Sequence, residues 1–305
     1  MKIAIIDLGT NTFNLLIRDT ETGQTLYNNK IPVKLGSKGI TSGKIADDAF
    51  ERGLEAMISH KSTASDHNAD VILAFATSAV RSASNGNDFV DAVYEATQIR
   101  VEVIGGMREA ELIFKGVQQA VEIGEEPVLI MDIGGGSTEF ILGNKHEVFW
   151  ANSYELGVTR LLDMFSPSNP IKPNEAMVVR QHCESVLGDL LEAYSEHPAK
   201  MLIGSSGSFD TLYDILALRH NRAPLQAGQI SGSFDEGELR ILINDLIGMT
   251  TEERLQVPGM LEMRAEMIHL AGIQIALVLD LLNTEKIRLS TYALKEGVYA
   301  ERTKK

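Results

Sequence analysis

The sequence predicts an α/β protein built from two copies of one domain, and three observations carry that prediction. Each half opens on a short apolar run, an Asp-x-Gly turn and a second apolar run. Each half then places another apolar run directly before a polar turn rich in hydroxyls or glycine. Between these runs lie segments whose apolar residues recur at helical spacing. Strands mixed with helices define the class, and a repeat of this length is a duplicated domain, not a solenoid.

The first half starts with Lys2-Ile3-Ala4-Ile5-Ile6, turns at Asp7-Leu8-Gly9-Thr10-Asn11-Thr12 and runs on from Phe13 to Ile17. A helix is predicted around Phe50, Leu54, Met57 and Ile58, and Asp47 and Asp48 suit its positive N-terminal end. Val71 to Phe75 reads as a strand leading into Ala76-Thr77-Ser78-Ala79-Val80-Arg81. Val101 to Ile104 is a further strand before the helical set Ala110, Ile113, Phe114 and Val117. The second half repeats the order. Val128 to Met131 ends in Asp132-Ile133-Gly134-Gly135-Gly136-Ser137-Thr138-Glu139, and Phe140 to Leu142 follow. Val179, Cys183, Val186, Leu187, Leu190 and Tyr194 have helical spacing. Met201 to Ile203 leads to Gly204-Ser205-Ser206-Gly207-Ser208, and Ile287 to Leu289 precedes a helical stretch from Tyr292 to Val298. The polar break Gly124-Glu125-Glu126-Pro127 sets the boundary between domains 1–124 and 125–305, with the last helix free to pack back on the first domain.

Length and composition agree, since 305 residues make about two domains of roughly 150 each. With 44% hydrophobic and 23% charged residues the chain can bury a core. A single cysteine, Cys183, allows no internal disulfide, which suits a reducing, cytoplasmic setting. No Cys or His spacing supports zinc. The apolar runs are too short for a signal peptide or a membrane span, so no membrane partner is expected. The net charge of −14 argues against broad nucleic-acid binding. An anionic substrate would have to meet a local cluster of cations and backbone N–H groups.

Such clusters are expected at the carboxyl ends of the strands, where ligands of α/β sheets sit. Gly134, Gly135 and Gly136 can expose several N–H groups in one tight turn, a nest for phosphate oxygens, and Ser137 and Thr138 add hydroxyls. Asp132 is placed to hold Mg²⁺, which prefers carboxylate, water and phosphate oxygens, and Mn²⁺ suits the same ligands. The bland alternative is a hairpin with an acidic start. Asp7 with Gly9, Thr10 and Asn11 would form the facing loop of a two-sided clamp. Arg81 can grip a phosphate with its guanidinium fork or stand on the surface at a helix start. Glu109, in the first turn after Gly105-Gly106, either compensates the helix dipole or orients and deprotonates water. A helix N-terminus lowers a carboxylate's pKa and makes it a weaker base. Gly207 and Ser208 lie in a second phosphate or nucleotide turn, or in a plain strand-to-helix turn. Arg264-Ala265-Glu266 reads as a solvated helical face.

Taken together, these segments resemble the exopolyphosphatase / guanosine pentaphosphate phosphohydrolase (Ppx/GppA) family over essentially the whole chain. The resemblance rests on Asp7-x-Gly9-Thr10-Asn11-Thr12, Ala76-Thr77-Ser78-Ala79-x-Arg81, Gly106-x-x-Glu109-Ala110 and Asp132-x-Gly134-Gly135-Gly136-Ser137-Thr138-Glu139, in family order. Glu155-Leu156-Gly157-Val158, Arg264-Ala265-Glu266 and Leu294-Lys295-Glu296-Gly297 extend it. It implies the duplicated actin-like / sugar-kinase / Hsp70 (ribonuclease H-like) fold with an interdomain cleft. It implies Mg²⁺-dependent release of a terminal phosphate from inorganic polyphosphate or pppGpp, by a protein similar to the short, dimeric members. Glu109 matches the family's catalytic glutamate, and Glu139 a second acidic residue near water or metal. Asp132 matches the metal-linked aspartate, while Arg81 and the glycine loops match its phosphate-binding elements. The competing expectations are a kinase of the same fold, a (p)ppGpp-binding regulator and an actin-like structural protein.

Overall fold

In the computed structural model, which describes residues 1–303, the strands form two mixed sheets. The first half contributes β1 (Lys2–Leu8), β2 (Thr12–Asp19), β3 (Thr25–Pro32), β4 (Val71–Ala76) and β5 (Val101–Val103). Its helices are α1 (Asp47–Asp66), α2 (Ser78–Arg81), α3 (Gly86–Thr97) and α4 (Gly106–Ala120). The second half contributes β6 (Val128–Ile133), β7 (Thr138–Gly143), β8 (Val148–Tyr154), β9 (Met201–Ser205), β10 (Ser231–Phe234) and β11 (Lys286–Ser290). Its helices are α5 (Val158–Phe165), α6 (Pro173–Val186), α7 (Gly188–Glu196), α8 (Gly207–Arg219) and α9 (Glu236–Gly248). They continue with α10 (Thr251–Leu255), α11 (Glu262–Ala265), α12 (Ile268–Leu281) and α13 (Leu294–Thr303).

The sheet orders are β3-β2-β1-β4-β5 and β8-β7-β6-β9-β11-β10, so one plan occurs twice and β10 adds an antiparallel edge. This is the duplicated actin-like fold. The repeat extends to register: Asp7 pairs with Asn14 across β1–β2, and Asp132 with Glu139 across β6–β7.

Period-2 alternation explains why the opening runs are apolar throughout. Ala4, Ile6 and Leu8 face a core under α1 and α3, while Ile3 and Ile5 face a second core shared with α4 and α13. Likewise Leu129 and Met131 face the large core of α6 to α9 and α12, and Val128 and Ile130 join the shared one. Strands covered on both faces need apolar residues at every position. The predicted helix through Val179 and Tyr194 is broken: α6 ends before Leu187 and α7 restarts at Gly188, a poor helix former.

The last helix crosses back over the first sheet. Tyr299 donates its hydroxyl to the Asp19 carbonyl at 3.0 Å, and Arg18 lies over the Tyr292 and Tyr299 rings. Arg108 and Lys115 of α4 both bind Glu301, whose carboxyl is held down to about 2, first by its hydrogen bond to Arg108. The helices cross at Gly116 and Gly297. A Cβ on Gly297 would sit 1.7 Å from the Leu112 carbonyl oxygen. Backbone cannot yield there, so Gly297→Ala must push α13 off α4. The expected loss is roughly 1–3 kcal/mol, read as a lowered melting temperature. Gly248→Ala, where nothing lies within 4 Å, is the control and should not destabilise.

Candidate functional site

The parallel strands β1, β4 and β5, and their counterparts β6, β9 and β11, run their carboxyl ends toward one cavity of about 120 Å³ between the sheets. Its walls hold two loops that face each other. Gly9, Thr10 and Asn11 follow β1, and Gly134, Gly135, Gly136 and Ser137 follow β6. The loops touch: a Cβ on Gly135 would lie 2.8 Å from Asn11 Nδ2, and one on Gly136 would lie 2.5 Å from Ser78 Oγ. Two of the three glycines are therefore also required by loop-on-loop packing.

The carbonyls of both loops are tied back. Val158 and Thr159 N–H donate to Gly134 and Gly135 O at 3.0 and 2.8 Å, and Arg160 Nε to Gly136 O at 3.0 Å. In the first loop, Gly36 N–H donates to Thr10 O, and Val33 and Lys34 N–H to Asn11 O. Among the described residues, no protein acceptor binds the N–H groups of Thr10, Asn11, Gly135, Gly136 or Ser137. Free N–H groups with restrained carbonyls are what an anion nest requires.

Five carboxylates line the same cavity: Asp7, Glu109, Asp132, Glu139 and Asp210. Asn14 donates to Asp7 at 3.0 Å, Ser205 to Asp132 at 2.5 Å, and Ser153 to Glu139 at 2.7 Å. Burial raises Asp7 to about 6 and Asp132 to about 7, the latter helped by the charges of Glu139 and Asp7. Glu109 accepts from Arg81 Nη1 at 2.9 Å, and the same nitrogen donates to the Ile104 carbonyl at 2.9 Å. Burial, then the charge of Glu139, pushes Glu109 well above the usual carboxylate range, against the pull of Arg81. Burial thus works against the lowering expected of a helix N-terminus.

Most of the sequence-predicted residues converge here, including Gly207 at the start of α8. Several differ. Arg81 does not line the cavity, and its Nη1 donates to Glu109. Thr138 points away and donates to Gln274 Oε1 at 3.0 Å, because β7 alternates and the next residue, Glu139, takes the cavity side. Ser208 is buried outside the cavity lining. Arg264 is no solvated face. It is buried over Gly207, where a Cβ would lie 2.3 Å from Nη2. Sequence reasoning missed Lys30 and Asp210, and it assigned no role to Lys295. All three are cavity residues.

Asp7, Asp132 and Glu139, the candidate metal residues, all line the cavity, and among the described residues no three acidic, His or Cys side chains form a metal-holding group. The donors still fit Mg²⁺, which keeps several waters and takes one or two carboxylates plus substrate phosphates. Asp7 and Asp132, buried with raised carboxyls, are positions that a hard cation would relieve.

A duplicated actin-like fold closing on two anion nests and a cluster of acids defines a phosphoryl-handling enzyme. The chain belongs to the Ppx/GppA phosphatase family, whose family model matches residues 16–305. It is 28% identical to exopolyphosphatase 1 of Mycobacterium leprae over 306 residues, 98% of this chain and 88% of the relative. A crystal structure of an exopolyphosphatase from Cytophaga hutchinsonii is 41% identical, with a TM-score of 0.96 over 99% of this chain and 98% of that one. The Aquifex aeolicus family member, 22% identical with a TM-score of 0.81 over 99% and 97% of the two chains, shares the fold.

Proposed function

We propose that the chain is an exopolyphosphatase that releases the terminal phosphate of inorganic polyphosphate to water, in a cleft between domains 1–124 and 125–305. The observation that carries this reading is the pairing of two anion nests with Glu109 in one cavity. The two relatives named exopolyphosphatase, matched nearly end to end, support it. Phosphoryl transfer asks the protein mainly for position and charge stabilisation. The loop N–H groups and hydroxyls hold the phosphoryl oxygens in line. Glu109 binds the attacking water and takes its proton, and Arg81 fixes which carboxylate oxygen faces it. Glu139 aligns the same water from β7. Mg²⁺ beside Asp7 and Asp132, or Mn²⁺ with the same ligands, would neutralise the phosphate oxygens when bound. The same cleft would accept the terminal phosphate of pppGpp.

We read the protein as a cytoplasmic homodimer without nucleic-acid or membrane partners. No helix among the described residues is long and apolar enough to cross a membrane, and Cys183 is buried and unpaired. The test is phosphate release with Mg²⁺ from long polyphosphate, short polyphosphate, pppGpp and ATP. Polyphosphate should be the preferred substrate. Preference for pppGpp would move the chain to the alarmone-hydrolysing branch, and tight binding without release would make it a regulator.

A further inference from the structure

Part of the cavity lining has no role in the chemistry above. Lys30 of β3, Arg264 of α11, Lys295 of α13 and Asp210 of α8 meet there. Asp210 sits in the first turn of α8, where a carboxylate usually accepts backbone N–H bonds or compensates the dipole. Here it accepts no backbone N–H bond. Its Oδ1 is buried without any donor, and its Oδ2 is 3.9 Å from Lys30 Nζ, which reaches it across the cleft from the other sheet. Arg264 mirrors this, since its Nε is buried without any acceptor. Each is thus an opposite charge left partly unsatisfied beside the other, an arrangement that costs stability.

Three cations crowded into one pocket repel each other, and a polyanion chain leaving the nests would neutralise them. Until it arrives, Glu296 pairs with Lys295 at 3.6 Å, Asp7 also faces Lys295 and Asp132 faces Arg264, while Asp210 is the carboxylate that faces all three. We propose that Asp210 is a built-in competitor for the seat of the substrate's non-terminal phosphates. It draws on Lys30 and Arg264 in the free enzyme while leaving Arg264 Nε unsatisfied, and it weakens the grip on the bound chain. The inference rests on the exopolyphosphatase reading. A site that must release a shortened chain gains from such a limit, because binding chain and transition state equally tightly does not speed turnover.

The sign is unusual and therefore testable. Removing a lining side chain normally weakens binding, whereas removing Asp210 should tighten it. Tripolyphosphate binding is measured by calorimetry in a Glu109→Gln background without divalent metal, which slows turnover, with and without Asp210→Asn. The second change should tighten binding about tenfold, as expected for deleting one like charge at short range in a partly shielded site. Asp210→Glu should restore the original affinity, and Lys30→Gln should weaken it. With Glu109 intact, Asp210→Asn should lower KM and kcat together, a split that simple damage to the fold does not produce. Should the Asn variant not fold, Asp210→Ser carries the same expectation. Binding that is unchanged or weaker overturns the proposal alone. Absence of binding in both proteins overturns the exopolyphosphatase reading and this proposal with it.

Discussion

Glu109→Gln should reduce phosphate release roughly 10²–10⁴-fold while leaving the fold intact, because it removes one proton acceptor and little else. The amide oxygen can keep the Arg81 contact, and Arg81 retains its bond to the Ile104 carbonyl. The direction of the shift at Glu109 makes a second demand. Burial and the neighbouring charge of Glu139 raise its carboxyl, so the base is ionised only above the ordinary carboxylate range. The acidic limb of the wild-type pH–rate profile should therefore lie well above pH 4.5 and disappear from the residual activity of the variant. Near-normal turnover in Glu109→Gln would remove the residue from the chemistry.

Asp132→Asn should separate activity from stability. Activity should fall roughly 10²–10³-fold, since the variant loses a charged group aimed at the cation and phosphate oxygens. Metal-free stability should move the other way. In the folded protein the carboxyl binds its proton up to about pH 7, against 3.8 in an exposed carboxylate. A carboxyl raised on folding contributes most below its unfolded value, and that contribution is lost as pH rises through the folded value. The wild-type protein without metal should thus lose stability between about pH 4 and pH 7. Asp132→Asn should flatten that decline and melt higher at pH 8, by a few kcal/mol at most. Added Mg²⁺ should stabilise the wild type more than the variant. A variant that melts lower at pH 8 would show that Asp132 is a structural group.

Much of this site is legible in the residues because its chemistry is local. Asp7 and Asp132 each close an apolar strand, and the glycines after them advertise a turn that admits a ligand. The equivalent register of Asp7–Asn14 and Asp132–Glu139 is visible as one spacing used twice. What stayed hidden depends on contacts between distant segments. The Arg81–Glu109 pair forms only because α4 brings Glu109 beside Arg81. Arg264 looks solvated because its helix is short, and only the missing Cβ of Gly207 makes room for it. Lys30 lies in β3, an edge strand whose exposed, polar sequence carries no apolar alternation. For the same reason neither β3 nor the partly exposed β8 stands out as the third strand of its sheet. The raised carboxyl of Glu109 follows from burial, which spacing does not reveal.

The most direct test of the central claim is hydrolysis of polyphosphate in ¹⁸O-labelled water. Attack of a Glu109-bound water on the terminal phosphorus predicts label in the released phosphate and none in the shortened chain. Label at the new chain end, or unlabelled phosphate passed to another acceptor, would contradict it.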